Sequence, residues 1–214
     1  NGTITQTGYL TADKEGNNLG DVILSAKNDM VLGTAGKVHG TNITVDVTNG
    51  DITASNLEAV AVDDNTKGNI ALTASRGDVN ITGTTTATHD IVLTANKGGN
   101  DAKGHVNVAG ATADSEENGR GDLIINADDN IVASNVKGAN VTATTPKDIT
   151  LTNATAKRAD SDTTDKSYGN VVATTSNGNL TLGVIDADSD IIGSAVNGTI
   201  TQTGYLTADK EGNN

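Results

Sequence analysis

Cysteine, phenylalanine and tryptophan are absent from this 214-residue sequence, which has only three tyrosines, one proline and one methionine. The lack of cysteine excludes a disulfide framework and a thiol nucleophile. Aromatic side chains usually contribute the largest single burial areas in a core, so a core here has to consist of Val, Ile, Leu and Ala. No apolar run approaches the roughly 20 residues that cross a bilayer, and we expect no membrane insertion.

The charge is strongly one-sided, with 27 acidic against 14 basic residues and a formal net charge of −13. This balance argues against nucleic acid and anionic membranes as partners. Few aromatics and high negative charge are also typical of disordered chains. Regular alternation of β-branched residues, with Gly, Asn, Asp and Thr at fixed offsets, favours a folded repeat protein instead. No signal peptide is visible at Asn1, so we expect any targeting segment to lie outside this sequence.

A long repeat dominates the sequence. Residues 1–18 and 197–214 both read NGTITQTGYLTADKEGNN, at an offset of 196 residues. Eighteen consecutive identities predict tandem copies of a 196-residue unit. The chain is therefore interpreted as one continuous segment, 1–214, made of one copy (1–196) and an overlap (197–214).

A shorter repeat divides the 196-residue unit. Gly, then Asp or Asn, then an apolar residue opens alternating runs at Gly20, Gly68, Gly121 and Gly169. Half-units open at TNITVDV, HDIVLTA, GANVTAT and SDIIGSA, and a second short strand follows a turn in each half, as in NGDITA and KDITLT. The pattern predicts two coils per sub-unit and about eight coils per repeat.

Within each run, apolar residues alternate with polar ones, as expected of strands with one buried face. The residues predicted to point inward include Val22, Leu24, Ile70, Leu72, Ile91, Leu93, Leu123 and Ile125. A one-residue slip would exchange the two faces, so the register is specified.

The predicted fold is all-β, a parallel β-helix (β-solenoid). Asn-Gly pairs between alternating runs are also hairpin signals, which would give an antiparallel sandwich. Coils of about 20 residues are too short for a sandwich domain, and a single coil cannot bury its own apolar face, so stacking has to supply the core. Eight coils at the ~4.8 Å strand spacing predict a rise of roughly 38 Å per repeat.

The motifs GDVILSA, NGDITA, RGDVNITG, HDIVLTA and KDITLTNATA resemble the repeats of filamentous-haemagglutinin-like exoproteins, which bacteria export by two-partner secretion. The resemblance implies a right-handed parallel β-helix, export across an outer membrane to the cell surface or medium, and a role in adhesion or biofilms. The family's N-terminal secretion domain, with its Asn-Pro motifs, has no counterpart in this sequence, and the repetition at 196 residues is more regular than is typical of the family. That regularity favours a structural fibre.

Two kinds of candidate site stand out. Asp186, Asp188 and Asp190 have the spacing of a calcium loop, although Ile191 replaces the expected Gly and a solvated acidic loop is the plainer interpretation. Two Arg-Gly-Asp tripeptides could engage integrin-type receptors, although Gly-Asp is also the opening signature of the sub-units. They are Arg76, Gly77 and Asp78, and Arg120, Gly121 and Asp122.

Other chemistry is sparse. His39, His89 and His105 occupy unrelated repeat positions, so we expect no enzyme and no cofactor beyond calcium. The alternation Thr3, Thr5, Thr7 raises an ice-binding hypothesis, but it does not recur in every coil. Six Asn-x-Thr sequons are candidates for glycosylation, although Thr is common enough to produce them by chance: Asn42, Asn80, Asn140, Asn153, Asn179 and Asn197.

The sequence thus predicts a structural segment of a long extracellular or cell-surface filament whose main partner is itself, by head-to-tail continuation or stacking of repeats. The alternative is an adhesin whose long acidic loops bind receptors or glycans on a host or neighbouring cell. Those loops are predicted around AVDDNTK, ADSEENGR and KRADSDTTDKSY.

Overall fold

In the computed structural model, which describes residues 2–12, 20–61, 68–99, 103–116, 119–159 and 167–208, strands stack into a parallel β-solenoid. Each full coil begins with a five-residue strand, and the eight such strands form one sheet, called the first face here. They are β3 (Val22–Ala26), β6 (Ile43–Val47), β9 (Ile70–Ala74), β12 (Ile91–Ala95), β15 (Leu123–Ala127), β18 (Val141–Thr145), β20 (Val171–Thr175) and β22 (Ile191–Ala195).

Two narrower faces belong to a 16-stranded sheet. The second face contains β1 (Ile4–Thr5), β4 (Met30–Leu32), β7 (Ile52–Ala54), β10 (Val79–Ile81), β13 (Val106–Val108), β16 (Ile131–Ala133) and β23 (Ile200–Gln202). The third face contains β2 (Leu10–Thr11), β5 (Val38–Gly40), β8 (Leu57–Ala59), β11 (Thr85–Ala87), β14 (Ala111–Thr112), β17 (Val136–Gly138) and β24 (Leu206–Thr207). The eight-residue strands β19 (Ile149–Ala156) and β21 (Leu180–Ala187) run along both faces and join them.

Every pairing between described strands is parallel, and each strand pairs with its counterpart in the next coil. For example, β9 pairs with β6 on one side and with β12 on the other. The predicted parallel solenoid is confirmed, and the hairpin alternative is wrong. The Asn-Gly pair at Asn49 lies at the corner between β6 and β7 rather than in a hairpin.

The core is a stack of inward-facing columns. Leu72 pairs in register with Leu93, and Leu93 with Ile125; all three side chains are fully buried. The inward prediction is confirmed for these positions and for Val22, Ile70, Ile91 and Leu123, while Leu24, in the first full coil, is partly buried. Like side chains therefore stack upon like along the axis, and this gives close packing without aromatic residues.

The last coils fill the same interior differently. At the middle inward position of the first face, Leu or Ile gives way to Ala143, Ala173 and Gly193. The second face compensates, because Ala133 in β16 is followed in register by Leu151 and then Leu182. A Cβ built on Gly193 would already lie 3.0 Å from the Leu180 side chain. Larger side chains on one face thus accompany smaller ones on the other, as a close-packed core requires.

Coil lengths alternate along the chain. Successive first-face strands start 18–21 or 27–32 residues apart, in strict alternation. The additional residues lie mainly in the connections from the third face back to the first, for example between β8 and β9 and between β19 and β20. Much of the predicted acidic loops (62–67, 117–118 and 160–166) lies outside the described residues. Their flanks show that every second coil carries its insertion at this same corner.

Candidate functional site: corner ladders and the repeated end coil

An uninterrupted ladder of Asn and Asp side chains runs along the corner that precedes the first face. In each coil one such residue stands immediately before the five-residue strand, and its Oδ1 accepts a hydrogen bond from the backbone N–H of the equivalent residue in the next coil. The N···O distances are 2.9–3.2 Å. The members are Asp21, Asn42, Asn69, Asp90, Asp122, Asn140, Asn170 and Asp190. We call this the first ladder; it pairs backbone donors that the sheet itself leaves at the corner.

Asn adds a second bond to the first ladder. The Nδ2 of Asn42 donates to Oδ1 of Asp21 over 2.9 Å, and that of Asn140 donates to Oδ1 of Asp122 over 3.0 Å. Asp has no such donor. Where Asp122 follows Asp90, burial raises the pKa of Asp122 and the negative charge of Asp90 raises it further, against the opposing effect of the hydrogen bond from Asn140.

A second ladder runs along the corner that precedes the second face. Its first three described members are Asp29, Asp51 and Asp78; the N–H of Asp51 donates to Asp29 over 2.9 Å, and that of Asp78 donates to Asp51 over 3.0 Å. His105 takes the next position and donates from its backbone to Asp78 over 2.9 Å. Beyond it the ladder resumes with Asn130, Asp148, Asn179 and Thr199.

Lys103 neutralises part of the acidic run in the second ladder. Its Nζ lies 3.0 Å from both carboxylate oxygens of Asp51, two coils below. The hydrogen bond to Asp51 raises the pKa of Lys103; desolvation opposes this, and the charges of Asp51, Asp78 and Asp29 raise the pKa further. The cation therefore compensates three stacked carboxylates at once.

Both Arg-Gly-Asp tripeptides are built into these ladders. Asp78 accepts hydrogen bonds from the backbone of Gly104 (2.8 Å) and His105 (2.9 Å), while Asp122 accepts two from Asn140. The glycines Gly77 and Gly121 are buried, and Arg76 and Arg120 are exposed. The geometry therefore gives both aspartates a structural task, and their role in receptor binding stays a prediction.

The three aspartates with calcium-loop spacing occupy three different settings. Asp186 lies on β21, Asp190 belongs to the first ladder, and Asp188 is 6 % exposed between them. Asp188 accepts a hydrogen bond from the backbone N–H of Arg158 (3.0 Å), and the Arg158 guanidinium donates to the Asp188 carbonyl (3.2 Å). Among the residues described, no group of three or more acidic, His or Cys side chains is arranged to hold a metal ion.

The histidines lie at separate places, each near a carboxylate. His39 and Lys37 both lie 2.8 Å from Glu58 on the third face. Burial raises the pKa of Glu58, but the hydrogen bonds and charges of Lys37 and His39 outweigh it and hold that pKa below its usual value. His89 Nδ1 is 2.9 Å from Asp90, and His105 Nδ1 is 3.6 Å from Asp129.

Three of the six predicted glycosylation sites are rungs of the ladders, namely Asn42, Asn140 and Asn179. A glycan would be attached to Nδ2, the atom through which Asn42 and Asn140 donate to Asp21 and Asp122. The amides of Asn80 and Asn153 are engaged with Asn107 and Asn135 on the outer surface. The outward column of Thr5 continues as Val31, Thr53 and Asn80, so threonine does not recur in every coil.

The repeated segment appears at both ends of the described solenoid. At one end Ile4 pairs with Met30 and Leu10 pairs with Val38. At the other end Ile200, the equivalent of Ile4, pairs with Leu180, and Leu206, the equivalent of Leu10, pairs with Ile185. We call this segment the repeated end coil. The same sequence is therefore seen once with a coil above it and once with a coil below it.

The chain matches no protein-family model, no curated protein sequence and no solved structure. In the part of the chain that the structure describes, no helix could span a lipid bilayer.

Proposed function

We propose that this chain is a segment of a long extracellular filament in which tandem 196-residue copies stack into one continuous solenoid. The observation that carries the proposal is the repeated end coil. Its lower edge fits the coil of Leu180, its upper edge fits the coil of Met30, and both pairings keep the parallel register. One copy can therefore follow another without a break in the backbone hydrogen bonds that join successive strands of the sheets.

Exposed apolar groups support the proposal. In the last described coil Ile200 and Leu206 are 53 % and 38 % exposed, although their counterparts in the interior coils, such as Ile52 and Leu57, are buried. A following copy would cover this surface and pair the open strand edge. Unpaired edges of this kind otherwise promote uncontrolled association.

The proposed mechanism is mechanical. Backbone hydrogen bonds and the two ladders run parallel to the long axis, so bending or stretching the rod has to strain many bonds at once. The net charge of −13 keeps rods soluble. Placement outside a bacterial cell rests on the resemblance of the repeat motifs to surface exoproteins and on the lack of cysteine, which suits passage through a secretion pore.

The test is electron microscopy of proteins that carry one, two and four copies. We expect smooth rods that lengthen by roughly 38 Å per copy, because each of the eight coils adds one strand spacing. Beads joined by linkers, or a length that does not scale with copy number, would overturn the proposal.

A matched pair of variants sharpens this test. In a two-copy protein, Ile200→Asp puts a charge into the inward column at the joint and should break or bend the rod at its midpoint. Thr201→Asp, one residue on, faces outward and should leave the rod straight. Equal behaviour of the two variants would show that the joint is not a stacked coil.

A second function, adhesion, is favoured by the alternation of coil lengths. The additional residues of every second coil lie mainly between its third-face strand and the next first-face strand, which would place a row of acidic segments along the rod. Shortening the insertions 62–67 and 160–166 to two glycines each should leave the rod length unchanged. If the segments are adhesive, binding of labelled rods to cultured cells or immobilised glycans should fall; unchanged binding would exclude them.

A further inference from the structure

The first face presents two outward columns that are almost free of charge. Of its sixteen outward side chains only Asp46 is charged, in a chain where 19 % of residues are charged. One column is mainly apolar: Ile23, Thr44, Ala71, Val92, Ile124, Thr142, Val172 and Ile192. The other carries hydroxyl and amide groups: Ser25, Asp46, Thr73, Thr94, Asn126, Thr144, Thr174 and Ser194.

The other two faces differ from the first. The second face has one central outward column, and the carboxylates of Asp29, Asp51, Asp78 and Asp148 flank it. The third face carries charges within its central column, including Glu58, which is paired with Lys37 and His39. The first ladder likewise places Asp21, Asp90, Asp122 and Asp190 along one edge of the first face. The first face nevertheless has two outward columns with a single charge between them, and is therefore the widest nearly uncharged surface of the rod.

Apolar groups on this face remain accessible to a partner. The interior outward side chains of Val92, Ile124 and Val172 are partly exposed. Ile124 and Val172, with Thr142 and with Ile192 of the end strand, border a shallow groove of ≈ 440 Å³ that Asp122 and Asp190 of the first ladder also line. The column spacing follows the strand spacing, so the surface repeats along the rod. Contiguous apolar surface rimmed by polar groups is a usual mark of an interaction site.

We propose that two rods of this chain pair side by side through their first faces. Two surfaces with net negative charge repel each other wherever their acidic groups meet, and the first face is the surface on which such contacts are fewest. Sheets pack face to face about 10 Å apart when their side chains interdigitate. The Ile and Val column supplies apolar burial, and the Thr and Asn column supplies hydrogen-bonding groups.

The area explains why pairing needs several copies. Eight strands at ~4.8 Å and five residues at ~3.3 Å give a face of about 600 Å² per repeat. A standard stable interface takes about 800 Å² from each partner. One repeat falls short of this area, whereas two or more exceed it, so pairing strengthens with filament length. The inference rests on the proposed filament, since only tandem copies provide a long face.

The experiment is sedimentation equilibrium of proteins with one, two and four copies, alongside electron microscopy. We expect a monomer for one copy and a two-rod species for four copies, with dissociation constants that fall at least tenfold from two copies to four. Single rods of the correct length that never pair would overturn the pairing and leave the filament intact. Rods of the wrong shape would overturn the filament itself.

Two variants identify the face. Val92→Lys in every copy places a cation between Ala71 and Ile124 on the first face and should return the four-copy protein to single rods. Val132→Lys is the control, because Val132 is 45 % exposed on the second face between Asn107 and Thr150. Melting curves check that both variants fold. Pairing that survives Val92→Lys, or that fails equally with Val132→Lys, would overturn the assignment of the first face.

Discussion

Asp122 lies directly above Asp90 in the first ladder, and its backbone N–H donates to Oδ1 of Asp90 over 2.9 Å. Most neighbouring rungs contain at least one Asn, as where Asn140 follows Asp122. At the Asp90–Asp122 step, two partly buried carboxylates face each other without an amide between them. Burial and then the charge of Asp90 raise the pKa of Asp122, so the ionised form is less stable here than in water.

Asp122→Asn should stabilise the protein at pH 7 by about 0.5–1.5 kcal/mol, the usual net value of one added hydrogen bond. The new Nδ2 can donate to Asp90 as Asn140 donates to Asp122. Because the folded pKa of Asp122 is raised, its unfavourable contribution is present above that pKa. The contribution is relieved as the pH falls through the folded pKa towards the unfolded value, so the advantage of the variant should shrink in acid.

Urea unfolding at pH 7 and pH 3.5 measures this difference. Asp190→Asn is the control, because Asp190 follows Asn170 rather than a carboxylate. An advantage of Asp122→Asn that is unchanged at pH 3.5 would contradict the electrostatic explanation.

Asn140→Ala should lower the free energy of unfolding by about 1–3 kcal/mol, because it leaves a partly buried backbone donor without its acceptor. Oδ1 of Asn140 accepts from the backbone of Asn170 at 3.0 Å, and Nδ2 bonds Asp122. Asn107→Ala removes an exposed amide pair with Asn80 and should cost less than about 0.5 kcal/mol. Chemical denaturation compares the free energies of unfolding of the two variants. Similar losses would show that the ladder bonds of Asn140 contribute no more than an exposed amide pair.

Lys103→Ala should make stability depend more strongly on salt. Without the ammonium group on Asp51, the carboxylates of Asp29, Asp51 and Asp78 repel one another, and salt screens that repulsion. The melting temperature of the variant should therefore rise more than that of the parent between 20 and 500 mM NaCl. Lys147→Ala is the control, since no ion pair of Lys147 occurs among the described residues. If the melting temperature of Lys103→Ala responded to salt as that of the parent does, Lys103 would not offset the repulsion between these carboxylates.

Leu93→Ala should cost about 2–5 kcal/mol, the range for large-to-small changes in a packed core. Leu93 is fully buried between Leu72 and Ile125. Thr94→Ala, at the next residue, changes an outward side chain and should cost less than about 0.5 kcal/mol. Thermal unfolding followed by circular dichroism distinguishes the two, and equal effects would contradict the assignment of the faces.

The parallel strands and their inward columns could be predicted because alternation at period two is a local signal. The third face was missed. The prediction placed two strands in each coil, whereas β5, β8 and their equivalents form a third. A three-residue strand such as Val38–Gly40 has too few positions to show alternation. The change from Leu93 to Ala143 in the inward column was also missed, since the compensating Leu151 lies on another face.

The ladders needed the structure because they join residues in different coils. In the sequence the Asp or Asn of the opening motif only marks the start of an alternating run, but its side-chain bond joins residues 18–32 positions apart. A close contact explains why the same motif contains Gly: a Cβ on Gly121 would lie 2.5 Å from the backbone of Asp114 and of His89. Spacing along the chain does not reveal such contacts, because the intervening loops differ in length.

Coils of 18 and of 32 residues each occupy one position in the stack. The rod is therefore measured in whole coils and not in residues. Mutations that lengthen or shorten a corner insertion can accumulate between copies without altering the length of a filament or the phase of its faces. Loss of a single coil, however, would shift everything beyond it by one strand spacing. Natural variation in such a protein should concentrate in the insertions, while the number of coils stays fixed.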